Sequence, residues 1–194
     1  MRVEILMYDG VSEVDAIMAL HVFQVAARLD APVTARLVTA DGATEVTGAD
    51  HTRVTGLAEW SPDEADVLLV SGGWIHEVIA DGELIERLAR FRDPAAPRPI
   101  LTGVCAGAVL LGAAGLLEGR PATTHHPAFP DLAAYAEVVD ARIVDAGDVI
   151  TAGGGPLSGF DLPLYLLERE LGLSRTAARV EQFMEYDRRG TVWR

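Results

Sequence analysis

The sequence predicts an α/β fold, a three-layer sandwich in which a mostly parallel sheet carries helices on both faces. Three observations support this. Short apolar β-type runs alternate with longer amphipathic stretches, the pattern of a parallel sheet covered by helices. Runs such as Val67-Leu68-Leu69-Val70 are brief and bounded by turn residues, as buried strands are. One run, residues 100–104, passes straight into Cys105 and an alanine-rich helix, with Gly103 and Gly107 two residues either side of the cysteine.

The elements follow in order. Residues 2–7 form the first strand; it carries an acid and no small-residue cleavage site follows it, which argues against a signal peptide. A cytoplasmic protein is the expectation. The strand ends at Tyr8-Asp9-Gly10, a turn signal. Ser12-x-x-Asp15 has capping-box spacing, and Val14, Ile17, Met18, Val22, Val25 and Leu29 supply the apolar residues of the helix that follows. Residues 33–39 are the second strand, 41–60 hold turns and short β segments, and 66–70 make a buried strand ending at Ser71-Gly72-Gly73. The spacing of Leu84, Ile85, Leu88 and Phe91 predicts a helix over 81–92. The proline-rich stretch 93–99 reads as a rigid loop, too short for a domain linker. A strand at 100–104 and a helix at 106–117 come next, then a strand-turn-strand over 141–151 and helices at 158–171 and 174–186. No internal repeat is present, and one domain spanning 1–194 is expected.

Composition excludes several classes of function. The net charge of −13 argues against a nucleic-acid surface, which needs a basic face. No apolar run is long enough to span a bilayer, so no membrane partner is expected. All 16 basic residues are arginine, which removes lysine Schiff-base chemistry and the lysine-dependent phosphate loop. A single Cys excludes an intrachain disulfide and a cysteine-rich metal site. The five His residues form no convincing pair with nearby acids, so no metal and no cofactor are expected.

A lone Cys is ordinarily a small buried hydrophobe. Around Cys105 the setting differs. Gly103-Val104-Cys105-Ala106-Gly107 is a G-x-nucleophile-x-G elbow, in which a tight turn needs small neighbours. It places the thiol at a helix N-terminus, where free N–H groups favour thiolate, and at the carboxyl edge of a parallel sheet. The competing reading is that the glycines only permit close packing.

Gly103-Val104-Cys105-Ala106-Gly107-Ala108, then Gly112-Ala113-Ala114-Gly115-Leu116-Leu117 and Ala122-Thr123-Thr124-His125, resemble the ThiJ/PfpI superfamily, of the class I glutamine-amidotransferase-like fold, in its isonitrile (isocyanide) hydratase branch. Tyr8-Asp9-Gly10-Val11 with Asp15, the glycine pair after the third apolar strand, Gly159-Phe160-Asp161-Leu162-Pro163-Leu164 and Glu185-Tyr186-Asp187 match in the same order. The resemblance spans almost the whole chain and implies a flavodoxin-like sandwich and a homodimer.

It also implies roles. Asp15 matches the acid that handles protons beside the nucleophile; read from the residues alone, it is equally a helix cap. Met18-Ala19 stand where the superfamily has Gly-Pro. Thr102 matches a hydroxyl that bonds substrate or water; otherwise it is a β-compatible strand residue. His125 falls where the superfamily's His orients or deprotonates the thiol, with His126 beside it. Gly72 and Gly73, with the N–H of Ala106, either form an anion-stabilising pocket or simply turn the chain. Ser71 replaces the usual Pro before them, and Trp74 is expected to line the pocket. Ser158-x-x-Asp161 repeats the capping spacing, so Asp161 reads as a cap, and Leu164, Leu167 and Leu171 as a core stripe.

The activity implied is hydration of a small isonitrile to an N-substituted formamide, with Cys105 as nucleophile. Peptidase and glutaminase activities are disfavoured, because Ala106 follows the cysteine and no His lies beyond His126. Two alternatives stand: glyoxalase- or deglycase-like action on α-oxoaldehydes by the same thiol, and a sensing domain like those of AraC-type regulators. The acidic chain lacks the basic helix-turn-helix of such regulators, so a freestanding enzyme is the expectation.

Overall fold

The computed structural model describes residues 1–93, 99–188 and 191–194. Apart from its two end residues, the loop expected at 93–99 lies outside them. Strand β1 (Arg2–Met7) leads into α1 (Glu13–Arg28) and β2 (Thr34–Thr39). Short strands β3 (Glu45–Thr47), β4 (Arg53–Thr55) and β5 (Ala58–Glu59) precede β6 (Val67–Val70). Next come α2 (Ile75–Asp81), α3 (Glu83–Ala89), β7 (Ile100–Val104) and α4 (Gly107–Ala113). Strand β8 (Pro121–Ala122), α5 (Phe129–Leu132), β9 (Glu137–Val138), β10 (Ile143–Asp145) and β11 (Val149–Ala152) follow. The last elements are α6 (Ser158–Leu171), α7 (Ser174–Met184) and β12 (Val192–Trp193).

The main sheet runs β12-β10-β11-β7-β6-β1-β2-β5 and is parallel except for the β10–β11 pair. Helices α1, α6 and α7 pack on one another, as do α2, α3 and α4, giving a layer on each face and the three-layer sandwich expected from the sequence. Strands β6 and β7 are the apolar runs read as buried strands; Val67 to Val70 are fully buried. Chain order reverses at β1, with β2 on one side and β6 and β7 on the other. The carboxyl ends of β1, β6 and β7 therefore meet at the switch point where open α/β sheets bind ligands.

Several local expectations change. The helix expected over 81–92 is α3, which starts after Gly82 and ends at Ala89 before a 3-10 turn over Arg90–Arg92; α2 before it was not expected, and Gly82, whose φ of 84° no helix interior adopts, parts the two. The helix after the elbow stops at Ala113, and Gly115 takes a positive φ. Helix α1 buries Ala16, Ala19, Val22, Phe23 and Ala26, a clean 3.6-residue stripe, while Val14 and Ile17 of the expected stripe are exposed. Neither capping-box spacing makes a cap. Ser12 and Leu157 are the N-cap residues, and neither gives a side-chain cap bond. The acids of both spacings turn inward instead: Asp15 to the site, and Asp161 to Arg142 and the Tyr186 hydroxyl. The pairing of β8 with β9 and the edge strand β12 had no signal in the sequence reading. Among the described residues no helix is long and apolar enough to cross a membrane.

Candidate active site

Cys105 sits one residue past β7 in left-handed backbone, with φ 55°, which costs a non-glycine residue about 1–3 kcal/mol. The surroundings fix it from both sides. Its N–H donates to the Ala152 carbonyl at the end of β11 (3.0 Å), and its carbonyl accepts the Thr124 hydroxyl (2.6 Å). The elbow glycines are required by contact. A Cβ on Gly107 would lie 2.0 Å from the Val70 carbonyl oxygen, so α4 starts against the end of β6 only because that side chain is missing. Cys105 is 6 % exposed.

Asp15 meets it from the first turn of α1. The Val11–Gly73 bridge ties the entry to α1 to the turn after β6, and Asp15 Oδ2 accepts the Gly72 N–H at 2.9 Å. The carboxyl lies against the Cys105 thiol and the Ser12 side chain. Its other oxygen, Oδ1, is buried and has no hydrogen-bond partner among the described residues. Burial pushes Asp15 up to about 7, against the pull of the Gly72 N–H, Ser12 and Cys105. Burial likewise pushes the Cys105 thiol up to about 12; the Asp15 charge adds to the rise and the Ala106 N–H opposes it. The two groups titrate as a pair. When Asp15 holds a proton, its repulsion of the thiolate is gone and it can donate to the sulfur.

The other residues singled out from the sequence are placed as follows. Ala106, expected in an anion-stabilising pocket with Gly72 and Gly73, directs its N–H to the Cys105 sulfur. Gly72 gives its N–H to Asp15 instead of leaving it for a substrate anion. Gly73, at φ 136°, lies against the turn after β1, where a Cβ would stand 2.1 Å from the Gly10 carbonyl oxygen. Trp74 is exposed; its indole covers Gly10 and its Nε1–H donates to the Ala49 carbonyl (3.1 Å). Thr102 is fully buried within β7, and its hydroxyl donates to the Leu68 carbonyl on β6 (3.2 Å), so it is spent on the sheet. His125 lies against Gly155, and among the described residues no hydrogen bond joins it to Cys105. His126 pairs with Asp140 at the surface (2.9 Å). Among the described residues no group of three or more His, Cys, Asp or Glu is placed to hold a metal ion.

Two contacts were missed in the sequence reading. Thr124 anchors the elbow, inside a motif noted only for its neighbour His125. Tyr8 stands behind the site, its hydroxyl donating to the Ser71 and Gly72 carbonyls, both at 2.8 Å. A large aromatic with a polar tip at a strand's carboxyl end was the available signal. Further out, Arg142 pairs with buried Asp161 and donates to the carbonyls of Gly153 (3.0 Å) and Gly154 (3.0 Å), holding the glycine loop that follows Ala152. Chemically the site offers a buried thiol, an acid able to carry a proton near neutral pH, and backbone N–H donors.

Known proteins share this arrangement of chain. The model of the DJ-1/PfpI family matches residues 1–169. An isonitrile hydratase from Pseudomonas putida is 38% identical over 125 residues, which is 62% of this chain and 52% of that protein. The chain thus spans about half the length of that relative. Among solved structures, DJ-1beta from Drosophila melanogaster superposes with a TM-score of 0.80 at 19% identity, covering 96% of this chain and 98% of that one. A THiJ/PfpI family protein from Pseudomonas syringae gives 0.80 at 26% identity, covering 96% and 75%.

Proposed function

This chain belongs to the DJ-1/PfpI family, and from that membership and the Asp15–Cys105 pair we propose that it hydrates a small isonitrile to an N-substituted formamide. The observation that carries the reading is a carboxyl raised to about 7 against the thiol of a nucleophile elbow. An isonitrile carbon needs both a nucleophile and a proton, and this pair supplies each from one buried place. The similarity to the Pseudomonas putida hydratase supports the choice of substrate class.

The steps balance without any other reactant. As the isonitrile binds, the Cys105 thiol passes its proton to the Asp15 carboxylate; the sulfur bonds to the terminal isonitrile carbon while Asp15 gives that proton to the same carbon, leaving a thioimidate and the Asp15 carboxylate. The carboxylate then takes a proton from water as its oxygen adds to the same carbon, and returns it to nitrogen. The tetrahedral adduct collapses, the C–S bond breaks, and the hydroxyl proton goes to Asp15. Formamide leaves, Asp15 returns the proton to sulfur, and the thiol and carboxylate are restored. The Ala106 N–H, already directed at sulfur, stabilises the thiolate as it forms for attack and as it departs at release.

The test is incubation with an aryl isonitrile, following formamide by chromatography, for wild type and Cys105→Ala in parallel. Formamide from wild type alone is expected. None from either protein would sink the reading.

A further inference from the structure

The Tyr8 phenol takes no part in the steps above, yet it is bonded to the peptide on which the acid depends. Its hydroxyl faces two carbonyl oxygens, those of Ser71 and Gly72, each at 2.8 Å. The Ser71 carbonyl belongs to the same peptide unit as the Gly72 N–H, and that N–H is the donor to Asp15 Oδ2 at 2.9 Å. Phenol, peptide and carboxyl are therefore in series. A donor on a carbonyl oxygen withdraws density from the amide nitrogen and strengthens its N–H as a donor. The second carbonyl, Gly72, also accepts the Ser12 N–H (2.7 Å), so the same phenol braces the turn against the start of α1.

We propose that Tyr8 is a positioning residue, which fixes the Ser71–Gly72 peptide and through it sets how firmly the Gly72 N–H holds the ionised form of Asp15. The groups facing Asp15 leave this bond a large share of the control. The turn after β7 brings the Cys105 thiol, α1 itself brings Ser12, and α6 approaches with Gly159, which carries no side chain. Among the described residues no guanidinium acts on the carboxyl. Tyr8 stays neutral, because burial, then the Asp15 and Cys105 charges, hold its hydroxyl well above the usual phenol range. The inference deepens the reaction proposed above and rests on it for its catalytic consequence only, because its test needs no substrate.

The test is a pH titration of the Asp15 carboxyl carbon by 13C NMR, assigned with Asp15→Asn, in wild type, in Tyr8→Phe, and in protein carrying 3,5-difluorotyrosine at position 8. Removing the hydroxyl weakens the Gly72 donor, so the midpoint should move up by a few tenths of a pH unit. Fluorination makes the hydroxyl a stronger donor, and the midpoint should move down. Opposite shifts are a signature that general loosening of the site does not produce. Midpoints that stay put, or that move the same way in both proteins, overturn the proposal. If Tyr8→Phe does not fold, the fluorinated protein decides by its sign. Opposite shifts without formamide production would leave Tyr8's role standing and sink only the substrate class.

Discussion

The Asp15 carboxyl and the Cys105 thiol share one buried contact, the acid raised to about 7 and the thiol to about 12, with the Gly72 N–H on one and the Ala106 N–H on the other. Low exposure raises both groups, so near neutral pH the thiol keeps its proton while the acid beside it is able to gain or lose one.

The first consequence is for stability. An aspartate raised from 3.8 to about 7 keeps its proton where the unfolded chain has lost it. The native state then binds more protons than the unfolded state between roughly pH 4 and 7, so stability falls as pH rises through that window, by the order of a few kcal/mol. Urea unfolding from pH 4 to 7.5 should show that slope in wild type and lose it in Asp15→Asn.

Gly72→Ala should damage the site more than the fold. The added Cβ would lie 2.7 Å from the Ala106 nitrogen and 3.1 Å from Asp15 Oδ2, and the first of these is backbone that cannot swing aside. The turn must then shift and loosen the Gly72 N–H from Asp15. We expect formamide production to fall about 100-fold or more, since an ångström of misplacement costs about that much, with the circular dichroism spectrum unchanged.

Thr102→Val should leave activity close to wild type. Its hydroxyl serves the Leu68 carbonyl inside the sheet, not the thiol. Thermal unfolding should register a loss of about 1 kcal/mol.

Arg142 should matter for stability out of proportion to its distance from the sulfur. Its guanidinium and Asp161 are buried together, with side chains 9% and 1% exposed. Arg142→Met removes the guanidinium buried against the Asp161 carboxylate and should cost about 3–5 kcal/mol. The double replacement Arg142→Met with Asp161→Leu should recover much of that loss. Denaturant midpoints of the three proteins check it.

Much of the fold was legible because its signals are local. Strands β6 and β7 are apolar runs, and the elbow announces itself through Cys105 between Gly103 and Gly107, both glycines needed where backbone meets backbone. Asp15 was ambiguous for a physical reason. Ser12-x-x-Asp15 has one spacing whether the acid caps its own helix or turns inward, and the group that decides, the Gly72 N–H, comes from a distant strand end. Thr102 was assigned by resemblance to the site, whereas the β6–β7 pairing gives its hydroxyl a neighbouring carbonyl. Helix α2 went unread because its seven residues are too few for an apolar period, whereas Leu84, Ile85 and Leu88 marked α3 after Gly82. The Arg142–Asp161 pair joins β10's approach to α6 and leaves no periodic trace.

The covalent step is tested most directly by the mass of the protein caught in turnover. Wild type mixed with an aryl isonitrile and quenched in acid should carry one added isonitrile, mapped to the peptide containing Cys105 and absent from Cys105→Ala. Formamide accumulating with no such adduct at any quench time would contradict the account, because water would then be adding to the isonitrile without passing through the thiol.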